Sequence, residues 1–142
     1  MNVSDAHIKE DAKLLEKSAT RLAKQMLAKQ RKIAPFARVI TQEGKEEPAE
    51  VQVGRNASDE EIVHALLSQL QKSAKAEHIR AACICSETTF IESSIETYAI
   101  RIRIEHRNGP SNQLTTTFRR LPIGIVGYAK PKFVHVPHKI FV

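Results

Sequence analysis

Residues 98–107 read Tyr-Ala-Ile-Arg-Ile-Arg-Ile-Glu-His-Arg, an alternation that sets three guanidinium groups on one side of an extended strand. Ile100, Ile102 and Ile104 take the core side, and Arg101, Arg103, Glu105 and Arg107 take the other. Arginine suits bidentate contact with phosphate or carboxylate, so the chemistry on offer is recognition of an anion or an acidic partner. A hairpin partner over residues 113–121 adds Thr117, Arg119 and Arg120 to the same contact set. Pairing like with like places Ile102 opposite Phe118, Ile104 opposite Thr116, Arg103 opposite Thr117 and Arg101 opposite Arg119. Two arginines in direct opposition repel unless a negative group sits between them, so this face demands a counter-charge. Glu105, the acidic middle of the chain or an outside ligand would each supply it.

The remaining reactive side chains form no comparable set. His135 and His138 are the histidine pair at short spacing, with His106 as a third candidate, but zinc asks for three or four tetrahedral ligands. Cys83 and Cys85 lie two apart in an apolar run and read as small buried residues. Catalysis needs a nucleophile with a base, or paired carboxylates in a pocket, and no such constellation emerges. His64 is a lone histidine beside an apolar helix face. Gly124-Ile-Val-Gly127 opens no helix that would make it a phosphate loop. No catalytic residue, metal site or cofactor is assigned.

Composition bounds the class. The chain has 142 residues, 42% hydrophobic and 27% charged, with no Trp, in the range of one globular domain whose core rests on Ile, Leu, Val and Ala. The apolar runs are far shorter than the roughly 20 residues of a membrane span, and the N-terminus lacks the pattern of a secretory signal. A cytoplasmic location is the expectation. The net charge of +6 is unevenly spread: +4 over residues 1–32, −5 over 33–100 and +7 over 101–142.

The elements that position the arginines follow from periodicity. One long helix is expected from Ser4 to Ile33, capped by Ser4 with Asp5 in its first turn and ended by Pro35. Ile8, Ala12, Leu15, Ala19, Leu22, Met26 and Ile33 make a heptad-like seam. A helix that long, about 43 Å, would overhang a sheet of ordinary strands and offer the seam to a second copy. Residues 36–41 and 49–54 read as short strands joined by an acidic loop. Ser58-Asp59-Glu60-Glu61 is a capping box opening a second helix that ends near Ala76. Residues 79–90 follow as a central strand, with Ile79, Ala81, Cys83 and Cys85 on one face. The 98–107 hairpin comes next, then an irregular stretch over 122–132. Residues 133–136 read as a short edge strand, and the apolar end Ile140-Phe141-Val142 as a closing strand tucked into the core.

The order α-β-β-α-β-β-β, with a short C-terminal strand, implies an α+β domain on an antiparallel sheet of about five strands, single over residues 1–142. This order is similar to that of profilin-like and roadblock-like domains, a likeness of element order alone, which implies dimers and adaptor roles. The leading expectation is a small cytoplasmic, non-enzymatic interaction module, homodimeric through the first helix. A binder of an anionic ligand or nucleic acid through the arginine face is the alternative, although that face lacks aromatics to stack bases. An enzyme whose pocket assembles from distant residues is the third.

Overall fold

Residues 5–142 are described by a computed structural model. Helix α1 (Asp5–Gln30) is followed by strands β1 (Phe36–Thr41) and β2 (Glu46–Ala49), helix α2 (Asp59–Lys75), and strands β3 (Ile79–Glu92), β4 (Ile95–His106) and β5 (Ser111–Arg120). A 3-10 turn, Pro122–Gly124, leads to β6 (Val126–Tyr128) and β7 (Lys132–His135). All pairings are antiparallel, in the order β2-β1-β3-β4-β5-β6, with β7 also on β5. The fold is α+β, with more strands than the five expected.

The two helices pack on opposite faces of the sheet. Leu15, Ala19, Ala23 and Leu27 of α1 share one core with Ile40, Ala81, Cys83, Cys85, Ile100, Ile102, Ile104, Leu114 and Phe118. Leu66, Leu70 and Ala74 of α2 share the other with Ala37, Val39, Ala82, Ile84 and Ile140. The capping box is in place, with Ser58 Oγ accepting from Glu61 N–H at 3.2 Å. Burial of roughly 1.5–3 kcal/mol per large aliphatic side chain makes these two layers the main source of stability.

Several expected boundaries shift, each for a local reason. The α1 helix stops at Gln30 and not at Ile33, because Arg31 turns left-handed (φ 58°) and its N–H bonds the Leu27 carbonyl at 3.1 Å. The expected Ser4 cap lies outside the described residues. At about 39 Å, α1 is shorter than the 14-residue β3, which runs about 46 Å. Strand β2 forms at Glu46–Ala49 and not at 49–54, because Gly44 (φ 91°) lets the chain reverse within a few residues. A register shift beside Thr41 rotates β3, so Ile79 joins the α2 core while Arg80 turns toward α1. Strands β3 and β4 run on to a two-residue turn at Ser93-Ser94, both with positive φ (51° and 65°).

The hairpin register also differs from the expected one. Tyr98 faces Phe118, Ile100 faces Thr116, Ile102 faces Leu114, Arg101 faces Thr115 and Arg103 faces Gln113. The connection between β4 and β5 is only residues 107–110, shorter than assumed, and that slides β5 by four residues against the expectation. Arg101 and Arg119 are therefore not opposed. The C-terminal residues tuck in at Ile140 (1% exposed), yet they form no strand.

Candidate interaction surface

On β4, the polar side chains toward the α2 side divide into anchored and free. Glu105 has no solvent exposure. Its carboxylate accepts from the backbone N–H groups of Lys139 (3.0 Å), Ile140 (2.9 Å) and Phe141 (3.3 Å), and from Arg103 Nη1 (3.2 Å). Arg103 Nη1 also donates to the Pro137 carbonyl at 2.8 Å. Arg107 donates to the carbonyls of Ala74 and Ile79, and its guanidinium lies 5.1 Å from the centre of the Phe141 ring. The counter-charge for this end of the strand is thus Glu105 itself, and the acidic middle segment has no part in it. Arg103 and Arg107 fasten the C-terminal residues and the end of α2 to the sheet.

The opposite face holds a second buried polar cluster. Arg80 meets Asp11 with two bonds of 2.9 Å, from Nε and from Nη2, and His106 Nε2 lies 2.9 Å from Asp11 Oδ2. His106 Nδ1 accepts from Asn108 N–H at 3.1 Å. A cleft of about 500 Å³ opens beside it, between the start of α1 and the β4–β5 connection. A histidine–aspartate pair in a cleft invites a catalytic reading. Here both ring nitrogens are engaged by the fold, so the pair offers a substrate neither a base nor an acid. Its effect is to pin α1 to the sheet.

The free cations lie farther along the α2-side face, past the area that α2 covers on β1 and β3. The registers align Ser86, Arg101, Thr115 and Lys132 in one row across β3, β4, β5 and β7. Thr88, Ala99 and Thr117 make the next row, and Arg119 follows beside Gly127. Arg101, Arg119 and Lys132 are exposed, and among the described residues none of their side chains has a hydrogen-bond or ion-pair partner. Arg101 and Arg119 stand about 14 Å apart by strand geometry, so a contacting anion would have to be extended. Arg120 belongs to the other side of β5. It bonds the Arg31 carbonyl and lies 5.2 Å and 5.1 Å from the ring centres of Tyr98 and Phe118.

This surface ends in an aliphatic tip. Ile95 and Leu121 share its face at the far ends of β4 and β5, beside Ile125, and all three are exposed. Ile123 is 94% exposed with φ 66°, a left-handed conformation that a β-branched residue rarely adopts.

Of the expected contact residues, Arg101, Thr117 and Arg119 come together on one open face; Arg103 and Arg107 are anchored, and Arg120 is across the sheet. Hydroxyls at Ser86, Thr88 and Thr115 and the cation Lys132 join the face. Period-two alternation in residues 86–88 and 113–117 was the available signal for the hydroxyls. The expected dimer seam is used inside the protomer. Ile8, Leu15 and Ala19 are buried, and Ala12, Leu22 and Met26 are half-buried.

Burial pushes the Cys83 thiol up to about 12 and the Cys85 thiol well above its ordinary range, the first through desolvation foremost. Both are free cysteines, sealed in the α1 core. Among the described residues, no group of three or more His, Cys, Asp or Glu is placed to hold a metal ion. Among them, too, no helix is long and apolar enough to cross a membrane. No family model, curated protein or solved structure matches the chain.

Proposed function

We propose that this chain is a small non-catalytic interaction module that docks an acidic protein segment on the open half of its sheet. One observation carries the reading. Arg103, Arg107 and Arg120 are each bonded into the fold, whereas Arg101 and Arg119 project from a hydroxyl-lined face with no partner among the described residues. Exposed guanidinium groups without internal partners retain their full capacity for an outside carboxylate. Nucleic acid is the weaker occupant, because Tyr98, Phe118 and Tyr128 cluster on the α1 side, which leaves the half-buried Phe90, paired with Thr97 in the row next to Arg119, as the ring on the open half of this face among the described residues. Two free, buried thiols fit a reducing compartment such as the cytoplasm.

The test compares a labelled glutamate dodecamer with single- and double-stranded DNA of similar length, by fluorescence anisotropy at low and moderate salt. The expected result is peptide binding that Arg101→Glu with Arg119→Glu weakens roughly tenfold or more while the circular dichroism spectrum is unchanged. Tighter binding of DNA, with a steep loss of affinity on adding salt, would transfer the face to nucleic acid. Binding that ignores the double reversal would remove this face from consideration.

A further inference from the structure

The two outer edges of the sheet are built differently. At β2 the Thr41 N–H bonds the Lys45 carbonyl at 2.9 Å, so antiparallel alternation turns the backbone of Glu46 and Pro48 outward. Pro48 has no N–H to donate, and this edge is blunted in the way natural sheets avoid pairing with another strand. At the other edge, β6 and β7 lie end to end along β5. Thr117 is bonded by Ala129 N–H, yet Thr115 pairs with Lys132, so one extra residue is accommodated near Pro131. Beyond that bulge, Val136 N–H bonds the Ser111 carbonyl at 3.0 Å. By the same alternation, Lys132 and Val134 are bonded to β5, whereas Phe133 and His135 point N–H and C=O away from the sheet.

All four residues of β7 are exposed, Phe133 and Val134 each at 57%. The chain after them does not cover the edge, because Arg103 and Glu105 draw residues 137–141 back over the α2 side. Lys132 and the bulge near Pro131 temper this edge, but neither outward residue of β7 lacks its N–H as Pro48 does. The charge around it has one sign: residues 106–142 contain six Lys or Arg and no Asp or Glu.

We propose that β7 is a strand-addition site, at which an extended acidic segment of a partner protein pairs with the outward backbone of Phe133 and His135. The charge disfavours a second copy of β7 as the occupant, since antiparallel self-pairing would set two lysine-bearing strands together. An added strand would place alternate side chains on the face of Lys132, in the row that leads through Thr115 to Arg101. This deepens the docking reading and rests on it, by naming the shape of the acidic partner and the backbone that holds it.

The test uses the isotope-labelled full chain and a blocked heptapeptide of alternating Glu and Val. On saturation, amide exchange at Phe133 and His135 should slow roughly tenfold or more, while Lys132 and Val134, already bonded to β5, change little. The same peptide methylated at every backbone nitrogen should bind at least about tenfold more weakly, because it cannot donate to the edge. Equal binding of the methylated peptide, or no slowing at those two amides, overturns strand addition. If Arg101→Glu with Arg119→Glu then abolishes that binding, side-chain docking on the open face stands without it. Absence of binding at about 1 mM peptide overturns the site as one for acidic strands.

Discussion

A carboxylate shut away from water persists in a fold only where its lone pairs are met, and Glu105 meets them with three backbone amides and Arg103. Glu105→Ala would leave the half-buried Arg103 guanidinium without its counter-charge and three N–H groups short of an acceptor. The expected loss is about 3 kcal/mol in urea unfolding, with Glu105→Gln losing less because one oxygen still accepts. A loss below about 1 kcal/mol would show that the C-terminal residues are held by other means. Ile123 presents the opposite case, a residue the fold tolerates at a conformational cost. Its left-handed backbone and 94% exposure mean that Ile123→Gly relieves crowding without opening a cavity. Stability should rise by about 1 kcal/mol, and any loss would mean that the isoleucine makes contacts the fold depends on. The buried thiols set the alkaline limit. With the Cys83 thiol pushed up to about 12 in the fold from an ordinary 9.0, the unfolded chain releases that proton first. Its stabilising effect is complete below pH 9.0 and is lost as pH rises toward 12, at up to about 1.4 kcal/mol per pH unit. Urea midpoints measured from pH 8 to 11 should fall over this window, and Cys83→Ala should flatten the fall.

Helix α1 contributes a core face and a charged anchor together, and this decides what its removal does. A chain lacking residues 1–20 loses Leu15 and Ala19 from the α1 core, and Asp11 from Arg80 and His106. Those losses are comparable with the roughly 5–15 kcal/mol that holds a domain folded. The truncated chain should therefore give no cooperative thermal transition in circular dichroism; a folded monomer with native ellipticity would contradict this packing. The seam was legible in the sequence because apolar residues at four-three spacing mark a buried stripe on any helix. What covers the stripe was not legible, since a second helix and a long-stranded sheet ask for the same pattern. Here the sheet covers Leu15 and Ala19, and the full length of β3 was hidden by Ser93-Ser94, a two-residue turn made without the glycine or asparagine that usually marks one. The hairpin shows a related limit. Alternation assigned the isoleucine and arginine faces correctly, but sliding one strand by four residues leaves every face unchanged. Only the short 107–110 connection fixes the register, and with it the distance between Arg101 and Arg119. The anchoring of Arg103 and Arg107 was out of reach for a further reason, because their partners are mostly backbone carbonyls brought in from remote segments.

Across the whole molecule, charge and edge design run in the same direction. The sheet begins at an acidic strand, Glu46–Ala49, and ends at a basic one, Lys132–His135. Two copies stacked edge to edge would set opposite charges together, so the sequence carries an electrostatic invitation to polymerise head to tail. Such a contact is heterologous and does not close, which is the geometry that yields fibres. Pro48 stands where it blocks this outcome, facing outward on the acidic edge with no N–H to complete the ladder. Pro48→Val restores that donor, and valine favours a strand besides. The variant should sediment as species whose mean mass grows with concentration, over a range where the parent chain does not change. Because the attraction between the edges is ionic and solvent-exposed, roughly 0.5 M salt should reverse much of the growth. Blocking the β7 edge with the Glu-Val heptapeptide should suppress it too, since both occupants need the same two outward amides. Unchanged sedimentation of the Pro48→Val chain at about 100 μM would mean that side chains, and not the missing donor, keep the acidic edge unpaired.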